Sequence, residues 1–63
     1  MVNRFGNVFE YDTFTIGKFG KVTFIDCVLL STQAFYSNIV LEVTTGTLSY
    51  YHKGSYFGTF NLT

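Results

Sequence analysis

Apolar and polar residues alternate with a period of two along much of the chain, most cleanly in its C-terminal half. From Asn38 to Thr44, Ile39, Leu41 and Val43 share one face, and Val40, Glu42 and Thr44 the other. That period belongs to a half-buried β-strand. Thr45-Gly46 predicts a two-residue turn, which sets Val43 opposite Leu48 and Leu41 opposite Tyr50. A second turn is predicted at His52-Lys53-Gly54. With three loop residues and a left-handed Gly54, Tyr50 faces Tyr56, and Phe60 and Leu62 continue the same side. A two-residue loop would instead pair Tyr50 with Phe57 and send Tyr56 and Phe60 outward. A one-residue slip inverts every side chain, and the first register is preferred because it keeps apolar against apolar. The expectation is a three-stranded C-terminal meander with Ile39, Leu41, Val43, Leu48, Tyr50, Tyr56, Phe60 and Leu62 inside.

The N-terminal half is less regular. Gly17-Lys18-Phe19-Gly20 reads as a hairpin loop between Thr13–Ile16 and Lys21–Leu30, with Ile16 opposite Val22 and Phe14 opposite Phe24. Later in that second strand both faces are apolar: Ile25, Cys27 and Leu29 against Val28 and Leu30. A strand of this kind is central, strongly bent or covered by a partner. Ser31–Ser37 breaks the pattern, and one helical turn capped by Ser31 fits there. A first strand is expected near Asn7–Tyr11. Residues 1–63 read as one small all-β domain of five to six short strands, a small antiparallel barrel or a compact sandwich. Open edges invite aggregation, and with no proline to blunt them, closure or pairing between subunits is the expected remedy.

Composition sharpens this picture. Among 63 residues, 48% are apolar and 21% aromatic, while only 13% are charged and the formal net charge is zero. Soluble domains average about 25% charged residues. The thin charged coat, on a chain too short to bury much surface, points to self-association or residence in a larger assembly. One cysteine excludes an internal disulfide, and one histidine makes a zinc site improbable on ligand count. The longest apolar run, Val22–Leu30, is far short of the roughly 20 residues that span a membrane as a helix. The first residues lack the apolar run of a secretory signal, so an intracellular or virion location is expected, with Cys27 reduced.

Few residues could carry chemistry. Cys27 sits mid-strand and reads as a buried structural thiol; a nucleophilic role would need His52 beside it. His52 and Lys53 read as a solvated turn. The register pairing Phe14 with Phe24 puts Asp12 opposite Asp26, near Glu10. Either the strands part there, or a cation such as calcium or magnesium sits between the carboxylates, or one of them keeps its proton. The parting of the strands is preferred, since no ion-binding motif supports the other two. Lys18-Phe19-Gly20-Lys21-Val22-Thr23-Phe24 resembles, over these few residues, the aromatic-glycine strand of cold-shock and RNA-recognition domains. The second motif is missing, a lysine stands where an apolar residue is expected, and the chain has no basic excess to track phosphates.

The outward face of the meander is the sharpest feature. Val40 is placed opposite Tyr51, with Phe57 diagonal to it, an apolar group on a face that should meet water. Such patches mark interfaces, unless other strands or Phe35-Tyr36 cover them as a second core layer. The leading expectation is a non-enzymatic interaction or assembly protein forming homo-oligomers, with Val40, Tyr51 and Phe57 at its interface and no cofactor or metal. Its size and composition suit a virus- or phage-encoded capsid-associated or decoration subunit. The alternatives are a small inhibitor of a host enzyme or defence protein, and a single-stranded nucleic-acid-binding barrel that would use Lys18 and Lys21. No nucleophile, base and orienting group can be assembled from the residues present, so catalysis is not expected.

Overall fold

A computed structural model describes residues 3–61. Seven strands follow one another: β1 (Asn3–Phe5), β2 (Phe9–Tyr11), β3 (Thr13–Ile16), β4 (Lys21–Leu29), β5 (Phe35–Glu42), β6 (Thr47–His52) and β7 (Ser55–Asn61). All strand pairs are antiparallel and join one sheet in the order β1-β2-β4-β5-β6-β7, with β3 paired to β4 in line with β2. The all-β reading holds. The strand count exceeds five to six because the segment expected near Asn7–Tyr11 is part of a hairpin, turned at Gly6 (φ 53°) and closed by a bond from Val8 N–H to the Phe5 carbonyl. The expected barrel or sandwich takes the form of a single curled sheet that stays open between β1 and β7.

Curling is evident from the dimensions. A flat sheet is about 10 Å thick, whereas the shortest extent here is 23 Å. The radius of gyration, 10.7 Å, matches the roughly 11 Å of a compact chain of this length. The sheet therefore folds over its own core, where Phe9, Phe24, Cys27, Ile39 and Leu48 are buried. Rings bind that core together: Phe9 stacks on Phe5 at 5.0 Å and meets Phe24 edge-on at 5.0 Å, and Tyr11 lies 4.7 Å from Phe24. Such pairs add about 0.5–1.5 kcal/mol each beyond the area they bury.

Bending originates in β4. Before Asp26 the inward residues are Val22 and Phe24; after it they are Cys27 and Leu29. An uninterrupted strand would put Phe24 and Cys27 on opposite faces. Asp26 stands between them at φ 57°, and that left-handed residue switches the alternation. Both faces of this segment are apolar because a different face turns inward on each side of the bend. The facing strand breaks at the same level. Phe14 pairs with Phe24, as expected, and Glu10 with Val28, but the ladder lapses at Asp12, whose N–H bonds the Ile25 carbonyl at 3.0 Å. The two aspartates thus mark where the strands part.

The connections correct several sequence expectations. Ser31–Ser37 holds no helix: Leu30–Gln33 forms a hairpin loop with Gln33 left-handed at φ 62°, and β5 starts at Phe35. The β5–β6 loop is Val43–Gly46, closed from Gly46 N–H to the Glu42 carbonyl, rather than Thr45-Gly46 alone. Pairing is therefore displaced by two residues: Leu41 faces Leu48 and Ile39 faces Tyr50. An even displacement preserves faces, so the inward set expected of β5 and β6 survives except for Val43, which enters the loop and is exposed. Between β6 and β7 the loop is the two-residue Lys53-Gly54, both at positive φ as in a type I′ turn. Tyr56 consequently pairs with Tyr51 and is exposed. The register then shifts: Tyr50 pairs with Gly58, leaving Phe57 as the extra residue of a bulge, and Phe60 regains the side of Leu48. Leu62 lies outside the described residues.

The bend predicts a specific response at Asp26. A β-branched side chain resists the left-handed region, which costs roughly 1–2 kcal/mol for ordinary residues and little for glycine. Asp26→Val is expected to lower the urea midpoint by an equivalent of about 1–2 kcal/mol, and Asp26→Gly to leave it unchanged or raise it. Equal midpoints for the two variants would contradict this role.

Candidate interaction surface

Strand register arranges side chains in rows across the sheet. Two rows face the core: Ile16, Val22, Leu41, Leu48 and Phe60, then Phe14, Phe24, Ile39, Tyr50 and Gly58. Two rows alternate with them on the outer face: Thr15, Thr23, Val40, Ser49 and Thr59, then Thr13, Ile25, Asn38, Tyr51 and Tyr56. The centres of the two core rows are buried or half-buried under the curl. Their ends lie on β3 and β7, where Phe14, Ile16 and Phe60 are exposed for want of a further strand. Val43 and Phe19, in neighbouring loops joined by the bond from Val43 N–H to the Gly20 carbonyl, are exposed as well.

The residues expected at an interface fall in two places. Val40 and Tyr51 share the outer face and are half-buried, but Val40 pairs with Ser49 and Tyr51 with Asn38, so they are diagonal neighbours. Tyr51 meets Tyr56, 5.5 Å between ring centres. Phe57, 60% exposed, joins neither. As the bulged residue it turns to the other face, 6.0 Å from Tyr36 and 6.3 Å from His52, and Tyr36 in turn stacks on Tyr50 at 5.2 Å. The expected patch is thus divided between the two faces of the sheet, Val40 and Tyr51 outside and Phe57 on the core side. The outer neighbour of Tyr51 is Tyr56, which the three-residue loop expected at His52-Lys53-Gly54 would place inside; the two-residue loop turns it outward, and the bulge at Phe57, beside Gly58 with its φ of 154°, then moves Phe57 to the core side.

β7 itself is the most exposed long element. Six of its seven residues are exposed, and none of Ser55–Asn61 is charged or proline. Among the described strands it pairs with β6 alone. Rings flank the free edge on both faces, Tyr56 outside, Phe57 and Phe60 on the core side. Natural edges are usually short, charged or interrupted by proline; this one has the bulge alone.

Other candidate groups resolve into structural roles. Ser37, unnoticed in the sequence, is brought to His52 by the displaced register: its hydroxyl accepts from Lys53 N–H at 3.2 Å and lies 3.2 Å from His52 Nδ1, to which it can donate. This clamps the β6–β7 turn to β5, and Phe35 packs edge-on against the imidazole at 5.6 Å. Phe24, one ring of the stretch resembling nucleic-acid-binding strands, is buried and unable to stack on a base, and Lys21 stands opposite Glu42. Among the described residues no three His, Cys, Asp or Glu group as metal ligands, and no helix is long and apolar enough to cross a membrane. A half-open cavity of about 320 Å³ lies where the two ends of the sheet approach, lined by Val8, Leu29, Tyr50 and Phe60 with Asn7 and Ser31 at its polar side. Comparison of the chain with protein-family models, curated proteins and solved structures finds no match.

Cys27 has no solvent exposure. Burial pushes its thiol up from 9.0 to about 12; the nearby Asp26 carboxylate adds to this, and a backbone hydrogen bond with Ile39 opposes it. Burial also raises Tyr50, helped by Tyr36. Below pH 9 the thiol is protonated in both folded and unfolded chains and does not affect the balance. Between 9 and about 12 only the unfolded chain ionises, so stability falls as pH rises. Cys27→Ala is expected to flatten this alkaline decline in urea titrations at pH 8 to 11. The native thiol is expected to resist aromatic disulfide reagents at pH 8 until denaturant is added; rapid labelling of the folded chain would contradict the burial.

Proposed function

We propose that this chain is a non-enzymatic assembly protein that works by contact with other protein surfaces, copies of itself first. The supporting observation is a mismatch of surfaces. Eight large apolar side chains, Phe14, Ile16, Phe19, Phe35, Val43, Tyr56, Phe57 and Phe60, are exposed among the described residues, on a chain with only eight charged ones. Isolated apolar side chains on a surface are ordinary. Here they collect at the ends of the sheet, around β7 and beside the Phe19 and Val43 loops, and contiguous patches of that kind mark contact sites. Zero net charge removes the repulsion that would keep copies apart. Tyr and Phe are well suited as anchors because they bury large areas with few rotatable bonds. A capsid-associated or decoration subunit is one setting for such a chain.

Native mass spectrometry and sedimentation across a wide concentration range test this reading. The expected result is a defined multimer that dissociates on dilution. Tyr56→Ser with Phe57→Ser should weaken it by about tenfold or more, equivalent to roughly 1.4 kcal/mol. Thermal stability of the monomer should fall only modestly, because both side chains are largely exposed and what the monomer loses is the ring contacts of Tyr56 with Tyr51 and of Phe57 with Tyr36 and His52. A strictly monomeric chain that captures no other protein would refute it.

A further inference from the structure

We propose that two copies pair through the free edge of β7, antiparallel about a twofold axis, so that two seven-stranded sheets become one continuous fourteen-stranded sheet. This rests on the assembly reading above and names its partner and contact. An edge strand presents a row of unpaired N–H and C=O groups, and a second strand satisfies them. The three exposed edges of the sheet are not equivalent. β1 spans three residues and β3 four, and β3 is recessed because β1 adds a further strand beside β2 in line with it. Arg4 lies within β1 and Asp12 beside β3. β7 offers six residues from Ser55 to Phe60, all uncharged, with the bulge at Phe57 among them.

A β7–β7 contact therefore gives the longest ladder available and brings no like charges together. A head-to-tail contact between β7 and β1 or β3 would match at most four residues and leave the rest of β7 open. Side chains agree with the backbone. The exposed rings lie on both faces of β7, Tyr56 outside and Phe57 and Phe60 on the core side. A strand added in the plane of the sheet covers both faces of an edge, whereas a partner resting on one face would cover only one set. A twofold contact is self-complementary and closes at two subunits, which protects the edge from open-ended growth. Thr59, exposed and near the middle of the uncharged stretch after the bulge, lies close to the axis in such a pair.

Charge substitution at Thr59, with the full chain, tests the contact. Thr59→Lys and Thr59→Glu alone each place like charges near one another across the axis, and each is expected to weaken dimerisation by about tenfold or more. Mixed in equal amounts, the two variants are expected to restore a mixed dimer, seen as its own mass by native mass spectrometry. Hydrogen exchange on the unaltered chain supplies a readout independent of any variant: amides of β7 should gain protection as concentration rises, while those of β1 and β3 do not. A multimer that survives Thr59→Lys unchanged, or concentration-dependent protection on β1 or β3, overturns β7 pairing and leaves the assembly reading standing. An unaltered chain that stays monomeric at every concentration overturns the pairing too, and if it also captures no other protein the assembly reading falls with it.

Discussion

The left-handed residue Asp26 in the middle of β4 is the constraint on which the rest of the molecule depends. The described strands form one sheet with no second layer, so its inner face is covered only by the sheet folding over itself. By changing which face of the longest strand turns inward, Asp26 lets the β1–β2 hairpin pack its rings onto Phe24 while Cys27 and Leu29 continue the core beyond the bend. The break at Asp12 on the facing strand accommodates the same turn. What looks like a conflict of carboxylates in the flat register is a parting of the ladder at a corner.

The second corner, at Phe57 and Gly58, works in the opposite direction. The type I′ turn at Lys53-Gly54 commits Tyr56 to the outer face, and the bulge returns Phe60 to the core side two pairs later. The bulge thus reconciles the two-residue turn at Lys53-Gly54 with the core that Leu48 requires. It also distributes aromatic rings on both sides of an uncharged edge. Fold and surface are linked here, since the irregularity that completes the core leaves β7 exposed and ringed by apolar groups. Among the described strands none covers that edge.

Much of the fold was legible in the residues. The alternation of Ile39, Leu41 and Leu48 placed the core face of β5 and β6, and the pairing of Phe14 with Phe24 and Ile16 with Val22 matched the β3–β4 hairpin. The two-sided apolar character of Val22–Leu30 signalled a bend or a central position, and β4 has both. The surface was less legible. Val40, Tyr51 and Phe57 share a face only in a flat alternation, which the bulge breaks, and Tyr56 faces outward because the β6–β7 loop holds two residues rather than three. Ser37 and His52 meet because the β5–β6 loop holds four residues rather than two.

By itself, the sequence determined the class of structure, the inward set of the regular strands and the poverty of charge, because side-chain periodicity and composition act locally and survive small errors of register. The tertiary structure decided where the sheet bends, which loop lengths set the pairing, and which rings stay uncovered. Those depend on single residues at unusual φ, Asp26, Gln33 and Lys53 among them, whose conformations are imposed by the strands they join rather than by their own preference. An even displacement between strands leaves a core intact, whereas one extra residue at a bulge transfers a side chain to the opposite face, so the interior was readable where the exterior was not.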